Sequence, residues 1–264
     1  ESGTCAVTGE AGAPAKPGPP VADITTGLQS ALSITALLYS RDTGRRAGGN
    51  TGRREGGNSV AVSLFDTMMD VMGYQLTYTQ HTGVDQQPLG MSSPAVAPYG
   101  SYRTADGQTV VLGTTNDREW QRLAREILQR NDLADDERFR TNAGRVANRA
   151  VLDEAIGDWC GQQDLNHVQK TADAAGIGNS RYNVPSEVVV HPQLTARDRW
   201  REVQTSAGPI QALLPPPVIA GYDPPMGAVP GLGQHTDAVL AELGVGSDEI
   251  AVLRDRGVIG PAYG

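Results

Sequence analysis

Cysteine is nearly absent from this chain of 264 residues, and histidine is scarce: two cysteines, Cys5 and Cys160, and four histidines. Two distant thiols make no disulfide framework and no CxxC metal pattern, so free thiols in a reducing cytoplasm are expected. With no His–x–x–x–His spacing and no clustered carboxylates, no metal site is expected either. Positive charge is also short, with 22 Lys and Arg against 30 Asp and Glu, a net charge of −8. A nucleic-acid binder needs a basic face to neutralise phosphates, so nucleic acid is not an expected partner. No apolar run reads as long enough to span a bilayer, and the N-terminus lacks a signal-peptide core, so the expectation is a cytoplasmic protein without membrane contact. Aromatic residues make up only 5%.

Glycine and proline are plentiful, 32 and 17, and apolar residues reach 39%. The composition is that of a globular, loop-rich chain large enough for one large or two smaller cores. Its organising stretch is Val21–Arg41, VADITTGLQSALSITALLYSR. Ile24, Leu28, Ala31, Leu32, Thr35 and Leu38 recur at helical spacing, with Ile34 and Leu37 widening the stripe. A face this wide predicts a helix buried against a sheet. Asp23 stands at its start, where a carboxylate accepts backbone N–H groups and meets the positive end of the dipole. Those donors keep it ionised, as a carboxylate nucleophile requires. An ordinary N-cap satisfies the same pattern. Gly27, one turn on, leaves room beside it for a ligand.

Around this helix, Glu1–Pro20 reads as a Gly- and Pro-rich loop. TGRRAGGN at Thr43–Asn50 repeats at once as TGRREGGN at Thr51–Asn58, seven of eight positions being identical. Its four arginines suit a phosphate or an acidic partner, while its glycines suit a solvated excursion. Val60–Val62 reads as a short buried strand, and Ser63 with Asp66 as a capping box for a helix with Phe65, Met68, Met69, Met72 and Leu76 on its core face. His81–Pro98 is a long coil, of the kind that is often functional but also serves as a linker. Strands are expected at Gly100–Thr104 and Gln108–Thr114 about the turn Ala105-Asp106-Gly107. Arg118–Gln129 is an amphipathic helix with Trp120, Leu123, Ala124, Ile127 and Leu128 inward. Helices follow at Gly144–Trp159 and Asp164–Ala175, then a loop GIGNSRYN and a structural His191. Pro215–Pro217 is a stiff linker. Helices at Thr236–Gly244 and Asp248–Arg256 end the chain. Neither cysteine has a basic neighbour pattern, and Ser2 lies in no G-x-S-x-G elbow, so Asp23 is the leading nucleophile.

GPPVADITTGLQSALSITALLYSRDTGR followed by SVAVSLFDTMMD resembles the core segment of the family III CoA-transferases, which include formyl-CoA and carnitine CoA-transferases and, as a relative, alpha-methylacyl-CoA racemase. The likeness continues through APYGSYRTADGQTVVL, GRVANRAVLDEAI, VVVHPQL and GLGQHTDAVLAELG, nearly the whole chain. The resemblance implies an α/β fold, part of a Rossmann-like large domain plus a small α+β domain, in a ring-like, interlocked homodimer. It implies boundaries of 1–80 for the second part of the large domain, 81–205 for the small domain with its linkers, and 206–264 for a linker and returning helices. The chain then reads as the C-terminal portion of a longer enzyme whose preceding half carries most of the coenzyme contacts.

By the same resemblance Asp23 is the nucleophile of an acyl-CoA:carboxylate CoA-transferase, with coenzyme A carried as substrate and product thioester and small carboxylic acids as co-substrates. Leu64 falls where the coenzyme channel is lined. Gly27 and, in QPLGMSSP, Gly90 and Met91 fall among the coenzyme-contacting positions, the latter two in a lid over the aspartate that here has one glycine rather than a run. The racemases place a glutamate just after the second strand, where this chain has Asn116, and an amide does not titrate. Racemase activity, and a non-catalytic fragment or subunit, remain the alternatives.

Overall fold

A computed structural model describes residues 1–43 and 59–260; the duplicated TGRR stretch falls almost wholly outside them. The structure is mixed α/β. It divides by internal packing into Glu1–Tyr182 and Asn183–Gly264.

In the first unit, a short hairpin of β1 (Gly9–Glu10) and β2 (Ala13–Pro14) precedes α1 (Val21–Thr43). A turn of structure therefore replaces the plain loop expected over the first twenty residues. Next come α2 (Leu64–Val71) and α3 (Gly73–Thr82). Ser63 caps α2, accepting from the Asp66 N–H at 3.0 Å while its hydroxyl donates to the Asp66 carboxylate at 2.7 Å, so the expected cap is present. Met68 and Met72 are buried but Phe65 is half exposed, so the apolar stripe is only partly covered. Val60–Val62 is neither a strand nor buried. Three β-branched and small residues cannot hold an extended pairing without a neighbouring strand to accept it.

The core of this unit lies further on. β3 (Tyr99–Arg103) and β4 (Thr109–Gly113) pair antiparallel about the Ala105-Asp106-Gly107 turn, with Tyr102 opposite Val110. Alternate residues Tyr102, Val110 and Leu112 face inward, as one-sided antiparallel strands do. Over them pack α4 (Asp117–Arg122), its π-helical continuation Leu123–Ile127, α5 (Asn131–Asp135), α6 (Asn142–Ala147), α7 (Arg149–Cys160) and α8 (Leu165–Ala174). All five residues expected inward between Trp120 and Leu128 are buried. Trp120 meets Phe139 edge-on at 6.0 Å. The GIGNSRYN stretch is not a loop: β5 (Gly178–Arg181) joins β4 antiparallel, Asn179 opposite Leu112. Its side chains have little strand propensity, and backbone pairing to β4 makes the strand.

The second unit holds α9 (Pro185–Val189), α10 (Pro192–Ala196), a hairpin of β6 (Trp200–Val203) and β7 (Ile210–Leu213), and the two expected C-terminal helices, α11 (Thr236–Glu242) and α12 (Ser247–Asp255). His191 caps α10 through Nδ1, which accepts from the Gln193 N–H at 3.2 Å, a structural role. Every strand pair among the described residues is antiparallel.

The largest departure is α1. No residue of this helix is buried. Its half-buried side, where it packs on α2, carries Thr26, Gln29, Ser30, Ser33 and Leu37. The expected core face points outward, Leu28 being 65% and Leu32 66% exposed. The helix is also long and apolar enough, by length and composition, to cross a membrane: it has 23 residues and contains an 18-residue window with a mean hydropathy of 1.3. The bilayer expectation is corrected there, because Thr, Ser and Gly interrupt an apolar run at little cost in hydropathy. A sheet partner for this face is not present among the described residues.

Two measurements follow from this fold. In the 264-residue chain, replacing Leu28 and Leu32 by glutamine leaves stability within about 0.5 kcal/mol, since neither is packed, and lowers ANS binding; Leu152→Ala in the core costs about 2–5 kcal/mol. A comparable loss at Leu28 contradicts the outward face. The second concerns pH. Burial pushes the Cys160 thiol up to about 12 from its ordinary 9.0, and burial next to Asp153 raises Tyr102 above its ordinary 10.0. Both groups are held neutral in the fold, so their contribution is complete below the unfolded values and is lost as pH rises through the folded ones. Stability falls from pH 9 upward by about 1.4 kcal/mol per unit for the thiol alone. Cys160→Ala flattens the decline of the melting curve between pH 9 and 10; an unchanged slope excludes the buried thiol as its cause.

Candidate functional site

The backbone reaches α1 through Pro19 and Pro20. Proline lacks an N–H and presets φ, so it suits a helix entry. Ile24 N–H donates to the Pro20 carbonyl at 3.0 Å and helical geometry begins at Val21. Asp23 is thus the third helical residue rather than the N-cap. Its carboxylate is exposed, lies in the first turn at the positive end of the dipole, and takes no hydrogen bond from another described residue. The expected carboxylate–backbone cap is corrected: the two prolines move the start of the helix ahead of the aspartate.

Gly27 is one turn further on, on the same exposed side, and a Cβ built there meets nothing within 4 Å. Leu64 opens α2, half exposed, on the helix that packs against α1. Gly90 and Met91 lie in the coil between α3 and β3. Gly90 has φ +60°, and its N–H donates to the Gly9 carbonyl at 2.6 Å, so the coil is pinned to the hairpin before α1. The Glu10 carboxylate closes over it, in the space that a side chain at position 90 would take. Met91 is exposed. A cleft of about 430 Å³ in this unit is lined by Val7, Met72, Gln75, Leu76, Thr79 and Asp85 among others, and by none of the five expected residues.

Asn116 has a structural task. Its side chain caps α4, accepting from the Glu119 N–H at 2.9 Å and donating to the Glu119 carboxylate at 2.8 Å. Glu119 in turn accepts from the Thr115 N–H at 2.6 Å, and that bond first, with the Thr115 hydroxyl and Asn116, holds its carboxyl below the usual range. No titrating base stands at the position after β4.

Residues that sequence reasoning did not single out lie behind the coil. Arg145 is 1% exposed; its guanidinium donates to the Ala97 carbonyl at 2.9 Å, the Phe139 carbonyl at 3.0 Å and the Asp117 carboxylate at 2.8 Å. Asn142 and Arg149 reach the same coil. Their signal in the sequence was two arginines in one short helical segment, GRVANRA, which reads as surface charge until burial is known.

The sequence signature of CoA-transferase family III matches residues 1–236. A Fusarium pseudograminearum protein named acyl-CoA transferase is 30% identical over 98% of this chain and 55% of its own. The succinate–glutarate CoA-transferase of Agrobacterium fabrum is 31% identical over 92% of this chain and 58% of its own. A CAIB/BAIF family protein from Brucella suis has a TM-score of 0.68 at 29% identity, across 92% of this chain and 60% of that one. The chain thus spans a little over half the length of the curated relatives it matches. With that match across most of its residues, the chain belongs to CoA-transferase family III.

Proposed function

We propose that this chain carries the nucleophile of an acyl-CoA:carboxylate CoA-transferase, and that the nucleophile is Asp23. The observation that carries the reading is the family match running across an Asp–x–x–x–Gly pattern whose aspartate is exposed and unpartnered in the first turn of α1. Names of relatives such as the Agrobacterium enzyme support dicarboxylic acyl groups as one substrate class. We further propose that the enzyme works as an interlocked homodimer in the cytoplasm, with α1 a core helix of that assembly.

In this reading one Asp23 oxygen attacks the donor thioester carbonyl, forming a mixed anhydride and releasing the CoA thiolate. The thiolate attacks the aspartyl carbonyl, giving an aspartyl-CoA thioester and freeing the donor acid, which leaves with an aspartate oxygen. The acceptor carboxylate attacks that thioester, forming a second anhydride. CoA then attacks the acceptor carbonyl and restores the Asp23 carboxylate. Each intermediate stores the activation of the original thioester, so one hard transfer becomes several easier ones. Anhydrides hydrolyse, so water has to be kept out while they exist. We propose that the coil bearing Gly90 and Met91 does this, with Leu64 and Gly27 flanking the coenzyme. The Asn116 cap speaks against the racemase alternative, because no acid or base occupies that position.

Asp23→Asn keeps the shape and removes the anion. Loss of a charge at a helix start costs under about 1 kcal/mol, so the fold survives while transfer falls to background. Acyl-CoA followed by hydroxylamine converts wild-type Asp23 to a hydroxamate seen by peptide mass. Retained transfer in Asp23→Asn, or exchange of the alpha-proton of a 2-methylacyl-CoA with deuterated solvent, replaces this reading with the racemase one.

A further inference from the structure

From Gly83 to Pro98 the chain forms no helix or strand, yet the second half of this coil is held firmly from behind. Three side chains at i, i+3 and i+7 along α6 and α7 present one face to it. Asn142 donates to the Ala95 carbonyl at 2.8 Å and accepts from the Ala97 N–H at 3.3 Å. Arg145 donates to the Ala97 carbonyl at 2.9 Å. One nitrogen of Arg149 bridges the carbonyls of Ser93 and, at 2.8 Å, Val96; its other terminal nitrogen reaches the Tyr99 carbonyl at 3.2 Å. A coil has no ladder to satisfy its carbonyls, and two guanidinium forks supply what the backbone lacks. A buried arginine is costly unless its donors are met, and Arg145 meets them with the coil, the Phe139 carbonyl and Asp117. Further forward, the Gly90 N–H fastens the coil to Gly9, ahead of α1. The stretch between the two attachments is Met91 and Ser92.

We infer that Asn142, Arg145 and Arg149 are positioning residues for the CoA-transfer reaction. They hold the leg Ser93–Pro98 as a fixed wall, so that the short tip around Gly90–Ser92 keeps water from the acylated Asp23. The inference rests on the readings given above of Asp23 as the nucleophile and of the Gly90–Met91 coil as its cover. If the wall loosens, water replaces the acceptor carboxylate: it attacks the aspartyl-CoA thioester, and each water consumed returns one Asp23 carboxylate and one free CoA thiol. Loosening therefore diverts acyl-CoA from transfer into hydrolysis, which a merely structural clamp does not do.

The test uses the active enzyme with Arg149→Gln, chosen because Arg149 is only half-buried, and Asn142→Ala as a second variant from the other end of the clamp. Free thiol released without acceptor acylation is compared with transfer, alongside amide hydrogen exchange of Met91–Val96 in the absence of substrate. The expected result is faster exchange in that segment and a hydrolysis-to-transfer ratio raised about tenfold, the scale of a lost hydrogen bond to a charged group. Faster exchange with an unchanged ratio in both variants overturns the positioning role and leaves a structural clamp. Unchanged exchange overturns the clamp itself. Absence of an acyl adduct on Asp23 in the unsubstituted enzyme is read first; it sinks the reading of Asp23, and this inference with it.

Discussion

The orientation of α1 decides what the Asp23 end of this chain exposes. Its Thr, Ser and Gln side rests on α2, and its Ile and Leu side is uncovered. On the covered side the Ser30 and Thr25 hydroxyls donate back to carbonyls one turn earlier, at 2.8 and 2.6 Å, while the Thr26 hydroxyl is buried with no hydrogen-bond partner among the described residues. The apolar side remains exposed at a cost of roughly 25 cal/mol for each Å² of surface. An exposed apolar stripe of this kind suits a neighbour, which the proposed interlocked dimer would supply.

A firm anchor stands at the other end of the same unit. The small sheet β3-β4-β5 and its covering helices bury a continuous core, and Arg145 joins that core to the coil. The buried guanidinium lies 6.0 Å over the Trp120 ring, so charge, ring and coil carbonyl are fixed together. A rigid body thus carries one leg of the coil, and the hairpin before α1 carries the other through Gly90. Between these two attachments lies only a short, irregular tip, Met91 and Ser92.

Much of this was legible in the residues. Asp106 and Gly107 announced their hairpin by turn chemistry, and the Trp120–Leu128 stripe announced a packed helix by its period. Ser63 and Asp66 announced a cap that is present. Elsewhere the signal was misleading for identifiable reasons. β5 is made of Gly, Asn, Ser and Arg, and pairs through its backbone, which propensity does not register. Val60–Val62 has strand residues but no partner strand. Asp23 looks like a cap until Pro19 and Pro20 are seen to start the helix two residues earlier. Arg145 looks like surface charge, and only its burial reveals an anchor. Asp23 is proposed as the nucleophile through the resemblance of the surrounding pattern; the periodicity alone admits an ordinary helix start.

The central claim, that Asp23 is acylated in turnover, is tested most directly by the fate of oxygen. The enzyme is run with an acceptor acid whose carboxylate carries heavy oxygen, and the peptide containing Asp23 is then weighed. Attack by the acceptor on an aspartyl thioester leaves one of its oxygens in the regenerated side chain, so the account predicts heavy oxygen in Asp23, and after further cycles in the freed donor acid. Turnover that leaves the Asp23 peptide unlabelled, or labels another residue, contradicts it.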